Sequence, residues 1–283
     1  MQYLEHKGER IPLVGIGTYR LGEDTKARRQ EMQTFRSALF DHDMTLIDTA
    51  EMYADGISEQ FVGEAAAGFE RSKLFIVDKI LPHNAMRGHY YDSCARSLER
   101  LGTDYIDLYL LHWRGGVDLQ DMVSNMQRLV IKGMIRRWGV SNFDTSDMRE
   151  LFACSGGSEC FCDQVLYNLA SRGPEFSLIP WCRQNGVLVM AYSPLCQSAY
   201  DRMAVTGDER VAQIARRQGK TGESLMLSFV IRGRDIITVF KTSSEQHLAH
   251  NMQNVFGAIS DEDLQALSQR FPSPKREMPL EKI

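Results

Sequence analysis

The sequence predicts an α/β fold: a (β/α) eight-stranded TIM barrel preceded by an N-terminal β-hairpin. Three observations predict it. Short apolar, β-rich runs alternate with longer segments of helical periodicity. That alternation calls for parallel strands, because each parallel return needs a crossover. The runs number eight, which favours a closed barrel over an open sheet. An open dinucleotide-binding sheet would carry G-x-G-x-x-G at its first turn, and "GIGTYR" has Arg20 where the third glycine belongs.

In chain order, "MQYLEH" and "RIPLVG", joined across Lys7-Gly8, predict the hairpin. The barrel strands follow as "LVGIGT", "TLID", "LFIVDK", "YIDLYLLH", "RRWGVSN", "DQVLYN", "VLVMAYS" and "IITVFKT". Helical patterns between them include "SEQFVGEAAAGF", "YYDSCARSLERL", "LQDMVSNMQRLVIKG", "TSDMRELFA" and "DERVAQIARRQG". Ser58, and Asp144 or Thr145, are expected N-caps, where a side-chain oxygen takes a free backbone N–H. No linker rich in Pro, Gly or Ser interrupts the pattern, so residues 1–283 are expected to form one domain.

Bulk composition excludes several classes. With 43% hydrophobic residues the chain can bury a full core. A net charge of -4, without a basic stripe or finger spacing, argues against nucleic acid or an anionic membrane as partner. "MQYLEHKGER" is too charged for a signal peptide, and no uncharged run reaches the ~20 residues of a membrane span. A cytoplasmic protein with reduced thiols is expected, therefore, and no apolar seam asks for a dimer, so a monomer is expected. Cys154, Cys160 and Cys162 in "CSGGSECFC" lack a CxxC pair or a nearby His, so no metal site is expected.

The strand ends carry the chemistry. Strand two ends at Asp48, strand three at Lys79, strand four at His112 and strand five at Ser141-Asn142. Strand six carries Gln164, strand seven ends at Tyr192-Ser193 and strand eight at Lys241-Thr242. In such a barrel the C-terminal ends converge on one mouth. Taken singly, Asp48 reads as a cap, Lys79 as a solvated end, His112 as a satisfied core histidine and Tyr53 as packing. Their convergence on one rim argues for a site. A phenol with pKa near ~10 is a poor acid, and a nearby ammonium is expected to lower that pKa. An aspartate would keep the buried ammonium charged, and a histidine could orient a carbonyl oxygen. The set suits protonation of an oxygen gaining negative charge, as carbonyl reduction requires.

With these residues in hand, the chain resembles the aldo-keto reductases over nearly its whole length. The landmarks are "GIGTY", "LIDTAEMYADGISEQFVGEA", "LFIVDK", "DYIDLYLLHW", "KGMIRRWGVSNF", "DQVLYN", "VMAYSPL" and "IITVFKTS", in the family's order and spacing. "LHWRGG" and "AYSPLCQSA" resemble the short bacterial reductases of methylglyoxal and other small aldehydes. The resemblance implies a catalytic tetrad of Asp48, Tyr53, Lys79 and His112, with Tyr53 as general acid. It further implies NADPH bound across the mouth: Ser141, Asn142 and Gln164 on the carboxamide, Tyr192 stacked on the nicotinamide, and Ser193 and Leu195 along the pyrophosphate. Lys241 and Thr242 would meet the 2′-phosphate and Asn251 the adenine, while Tyr19 and Trp113 would wall the pocket for a small carbonyl substrate.

Two departures bear on the cofactor. The family commonly has Arg where this chain has His247, and Glu where it has His250. An imidazole, with an ordinary pKa near ~6.5, is only partly charged and grips phosphate less firmly than an Arg fork. NADPH is still expected through Lys241, with some use of NADH. Asp78 replaces a small hydroxyl residue before the lysine and, by strand alternation, is expected to point away from the barrel interior. Arg114 is expected to be a solvated loop residue. The competing readings are a non-catalytic NADPH-sensing subunit and an aldolase using Lys79 as a Schiff base. Substrate choice is expected to rest with residues 113–118 and 195–208 and the short tail, which suggests an open, broadly specific pocket.

Overall fold

The computed structural model describes residues 1–86 and 88–282. A hairpin opens the chain: β1 (Tyr3–His6) pairs antiparallel with β2 (Glu9–Pro12), Tyr3 opposite Pro12 and His6 opposite Glu9. Its two-residue turn has Lys7 at φ 46° and Gly8 at φ 83°. Positive φ at both positions is the turn that matches strand twist, and glycine takes it without steric cost.

Eight further strands close into the expected barrel: β3 (Val14–Gly17), β4 (Leu46–Asp48), β5 (Phe75–Ile80), β6 (Ile106–Leu111), β7 (Ile135–Ser141), β8 (Cys162–Leu166), β9 (Leu188–Tyr192) and β10 (Ile236–Phe240). Neighbours in sequence are neighbours in space, all parallel, and β10 returns to β3 with Thr238 beside Val14. Helices α1 (Arg28–Phe40), α2 (Ile57–Ala65), α3 (Tyr90–Leu101), α4 (Leu119–Ile131), α5 (Thr145–Ala153) and α6 (Leu178–Gln184) each link successive strands from β3 to β9. Between β9 and β10 lie α7 (Ala199–Thr206), α8 (Glu209–Arg217) and α9 (Gly222–Val230), and α10 (Glu245–Met252) and α11 (Asp261–Arg270) follow. Strands such as β5 and β8 are buried along their whole length, as covering helices require. Among the described residues no helix is long and apolar enough to cross a membrane.

Local signals fared unevenly. Asp144 caps α5 in a reciprocal capping box with Asp147, so the choice between Asp144 and Thr145 falls to the aspartate. Ser58 is not a cap. The α2 N-cap is Gly56, and the Ser58 hydroxyl donates instead to the Leu21 carbonyl at 3.0 Å, tying α2 to the loop after β3. Arg114 is not freely solvated either. It donates to Val117 O at 2.7 Å and pairs with Glu150 at 3.0 Å, fastening the loop after β6 to α5.

Candidate active site

Register sets the site. Gly17 pairs with Asp48, Asp48 with Val77, Lys79 with Leu110, and Ser141 with Gln164, so the polar strand ends of β4, β5, β7 and β8 reach one mouth. Lys79 is only 1% exposed, and its Nζ lies 2.7 Å from Asp48 Oδ1. The same ammonium donates to the Thr49 carbonyl at 2.8 Å and to Tyr53 Oη at 3.1 Å. Burial alone would lower the lysine pKa. The adjoining Asp48 carboxylate and Tyr53 oxygen outweigh that and hold it above the ordinary value.

Tyr53 does not lie on a strand. It opens a short turn after β4 in which Ala54, Asp55 and Gly56 have φ of 49°, 51° and 89°. Left-handed backbone at two successive non-glycine residues, Ala54 and Asp55, is costly unless their surroundings fix it. The turn delivers the phenol to the lysine, with Tyr19 edge-on at 5.1 Å and His112 edge-on at 5.8 Å between ring centres. Burial raises the Tyr53 pKa, and the Lys79 ammonium pulls it back only in part. The net shift is upward, opposite to the sequence expectation, because desolvation of the phenolate exceeds the lysine's pull. The phenol is therefore protonated at neutral pH.

His112 is held neutral. Burial, and then the nearby Lys79 charge, push its pKa down to about 3. Its Nδ1 is buried with no donor or acceptor among the described residues. A neutral imidazole keeps one N–H for an incoming oxygen without adding a second titrating group. Trp113 tilts against this ring at 5.1 Å, and Tyr19, 51% exposed, stands at the opening.

A second cluster adjoins the first. Gln164 Nε2 donates to Asp48 Oδ1 at 2.7 Å. Ser141 Oγ donates to the Gln164 carbonyl at 2.8 Å, and Asn142 Nδ2 donates to the His112 carbonyl at 3.2 Å. Tyr192 Oη donates to Asn142 Oδ1 at 2.7 Å, bringing an aromatic ring beside these amides. Ser193 follows at φ 50°, its carbonyl held by Asn168 Nδ2 at 3.0 Å, and Leu195 is buried beyond it. Asn168 is absent from the sequence-predicted set, although it closes the recognised "DQVLYN" run. Farther out, Thr242 Oγ1 accepts from Ser244 N at 3.2 Å, and Ser244 caps α10 by accepting from His247 N. Lys241, His247 and His250 are exposed on this edge, while Asn251 is buried beneath it. Donor amides, an aromatic face and an edge cation at a helix start suit a carboxamide ring joined to a phosphate.

These features recur in known proteins. A model of the Aldo/keto reductase family matches residues 13–270. The chain belongs to this family. It is 41% identical over 273 residues to methylglyoxal reductase YeaE of Escherichia coli, covering 96% of this chain and 95% of that protein. An aldo/keto reductase of Klebsiella pneumoniae, solved with NADP and acetate, superposes with a TM-score of 0.94 at 41% identity, covering 98% of this chain and 97% of that one. A Klebsiella pneumoniae aldo-keto reductase structure with NADPH gives 0.95 at 40% identity, covering 100% and 99%. As an aldo-keto reductase, the chain is an oxidoreductase enzyme.

Asp78, next to the buried lysine on β5, is no surface residue. It is fully buried behind the barrel, where its Oδ1 accepts from the Lys79 N–H at 2.8 Å. It points out of the barrel interior as alternation requires, but into the packed layer of α2 and α3.

Proposed function

We propose that the chain is an NADPH-dependent carbonyl reductase that converts small aldehydes and ketones, methylglyoxal-like and aromatic aldehydes among them, to alcohols. It would act as a cytoplasmic monomer. The observation that carries the reading is one buried ammonium, Lys79, bonded at once to Asp48 at 2.7 Å and to the Tyr53 phenol at 3.1 Å.

Ser141, Asn142 and Gln164 would hold the carboxamide, Tyr192 the ring, Ser193 and Leu195 the pyrophosphate, and Lys241, Thr242, His247 and Asn251 the adenosine end. Bound there, NADPH supplies a hydride to the carbonyl carbon. The chain's residues handle the oxygen. His112, neutral, donates its one N–H to the carbonyl oxygen and fixes its direction. Tyr53, protonated at neutral pH, gives its proton to that oxygen as negative charge gathers on it. The tyrosinate left behind lies against Lys79, whose charge offsets the cost of a buried anion. Asp48 keeps that lysine charged and in place. Gln164, bonded to Asp48, couples the carboxamide side of the site to the acid side.

The relatives support the substrate class: the Escherichia coli protein named above is a methylglyoxal reductase, and the Klebsiella pneumoniae structures hold NADP or NADPH. NADPH oxidation with methylglyoxal, a nitrobenzaldehyde and a keto-ester, with NADH in parallel, tests it. Turnover with NADPH is expected on at least one aldehyde. NADPH binding without turnover on any of them would favour a sensing role instead.

A further inference from the structure

Behind the lysine strand lies a chain of charged groups outside the mouth. Asp78 on β5 and Glu59 on α2 are both fully buried, and their carboxyls meet within hydrogen-bonding reach. Asp78 Oδ1 takes the Lys79 N–H at 2.8 Å, and Glu59 Oε2 takes Arg100 Nε at 2.5 Å. The other two oxygens, Asp78 Oδ2 and Glu59 Oε1, are buried with no donor among the described residues. Two facing acceptors without a donor are costly, and one proton between them satisfies both.

We propose that Asp78 keeps its proton at neutral pH and donates it to Glu59, and that the resulting Lys79–Asp78–Glu59–Arg100 chain positions Tyr53 against Lys79. Every carboxyl oxygen is then paired: the Asp78 carbonyl oxygen accepts from Lys79 N, its hydroxyl donates to Glu59 Oε1, and Glu59 Oε2 faces Arg100. Burial first, and the Glu59 charge second, hold the Asp78 pKa well above the ordinary carboxyl range. The Lys79 N–H and the Lys79 charge pull it back only in part. Cys94 on α3 and Tyr109 on β6 are neutral, their pKa values raised by burial. Glu51, after β4, has its own donors in Leu81 N, Asn84 and Ser93.

The link to Tyr53 runs through the left-handed turn. Gly56 closes that turn and begins α2, and a Cβ placed on it would stand 2.6 Å from Arg100 Nε. Arg100 therefore packs directly on the turn, and Glu59, in the first turn of α2, joins Arg100 to Asp78. The backbone of Lys79 and the turn bearing Tyr53 are thus tied from behind. This over-determines a run of positive φ that would otherwise relax.

The positioning role rests on the proposed reductase reading, whereas the shared proton does not. Urea unfolding of the whole protein from pH 4 to 8, wild type against Asp78→Asn, decides the proton. Asp78 stays protonated when folded and ionises when unfolded, so folding is progressively disfavoured as pH rises above ~4. Relative to D78N, the wild-type unfolding constant should climb roughly tenfold per pH unit until the folded pair ionises. Parallel curves, as two ionised carboxylates bridged by water would give, overturn the sharing. For positioning, Asp78→Ala should lower kcat about tenfold or more with little change in the aldehyde KM, and D78N, whose amide can donate to Glu59, should restore most of it. Should D78A fail to fold, Glu59→Gln gives the same comparison, since it keeps the Asp78 bond but loses the Arg100 ion pair. A kcat equal to wild type in D78A, or in E59Q where D78A does not fold, overturns the positioning role. No turnover by the wild type would overturn the reductase reading and positioning together, with the pH slope still deciding the proton.

Discussion

Replacing Asp48 by asparagine removes one charge and almost no volume, and it isolates what the carboxylate does for Lys79. The ammonium sits 2.7 Å from Asp48 Oδ1 and is 1% exposed. With an effective dielectric of about 20, unit charges at that distance attract by about 6 kcal/mol. Breaking a buried pair by deleting one partner costs about 3–5 kcal/mol once relaxation is allowed. The lower figure is the safer one, because the amide oxygen of the D48N variant can still accept from Lys79 and from Gln164. A loss of about 3 kcal/mol is about 2 pKa units on the lysine. The sign follows from a lysine raised in the folded state: its stabilisation is complete below the unfolded pKa of ~10.4 and fades as pH rises through the folded value. Measurements at pH 7 to 8 therefore read the whole pair. Urea unfolding at pH 7.5 should show D48N less stable by about 3 kcal/mol, and the alkaline limb of kcat should move down by about two pH units. A D48N protein with wild-type stability and an unmoved alkaline limb would refute the argument that Asp48 keeps Lys79 charged.

Further outcomes concern two other groups. His112, with its pKa near 3, should leave no limb in the kcat profile between pH 5 and 8; a limb near 6 that disappears in His112→Gln would contradict a neutral imidazole. Because that pKa is depressed by folding, His112 should also make the protein lose stability as pH falls from ~6.5 toward 3, a slope that H112Q flattens. Exchanging His247 for Arg should raise the NADPH-to-NADH ratio of kcat/KM several-fold. An unchanged ratio would remove His247 from the phosphate site.

The barrel was legible because its strands are covered on both faces and read as apolar runs, and because each run ends on a polar residue at the mouth. "LFIVDK" becomes β5 and "YIDLYLLH" becomes β6 with little shift. Asp48, Lys79 and His112 were legible for the same reason. What tertiary contacts decide was not. Ser58 stands in front of a helix pattern, but the chain enters α2 through a left-handed Gly56, and the serine reaches back to Leu21. The Tyr53 pKa turned on how deeply the phenol is buried, and spacing along the chain carries no measure of that. Alternation placed Asp78 outside the barrel correctly, but only packing reveals Glu59 waiting there. Arg114 looked loop-bound, and its partner Glu150 lies on a helix that local pattern does not connect to it.

The most direct measurement is single-turnover reduction of an aldehyde by NADPH with Tyr53→Phe against wild type, cofactor binding being followed by fluorescence. Phe preserves the ring beside Tyr19 and His112 and removes only the acid. NADPH is expected to bind both proteins alike, and the chemical step to slow by roughly 10²–10⁴-fold in the variant. A Y53F protein that reduces the aldehyde at the wild-type rate would contradict Tyr53 as the acid.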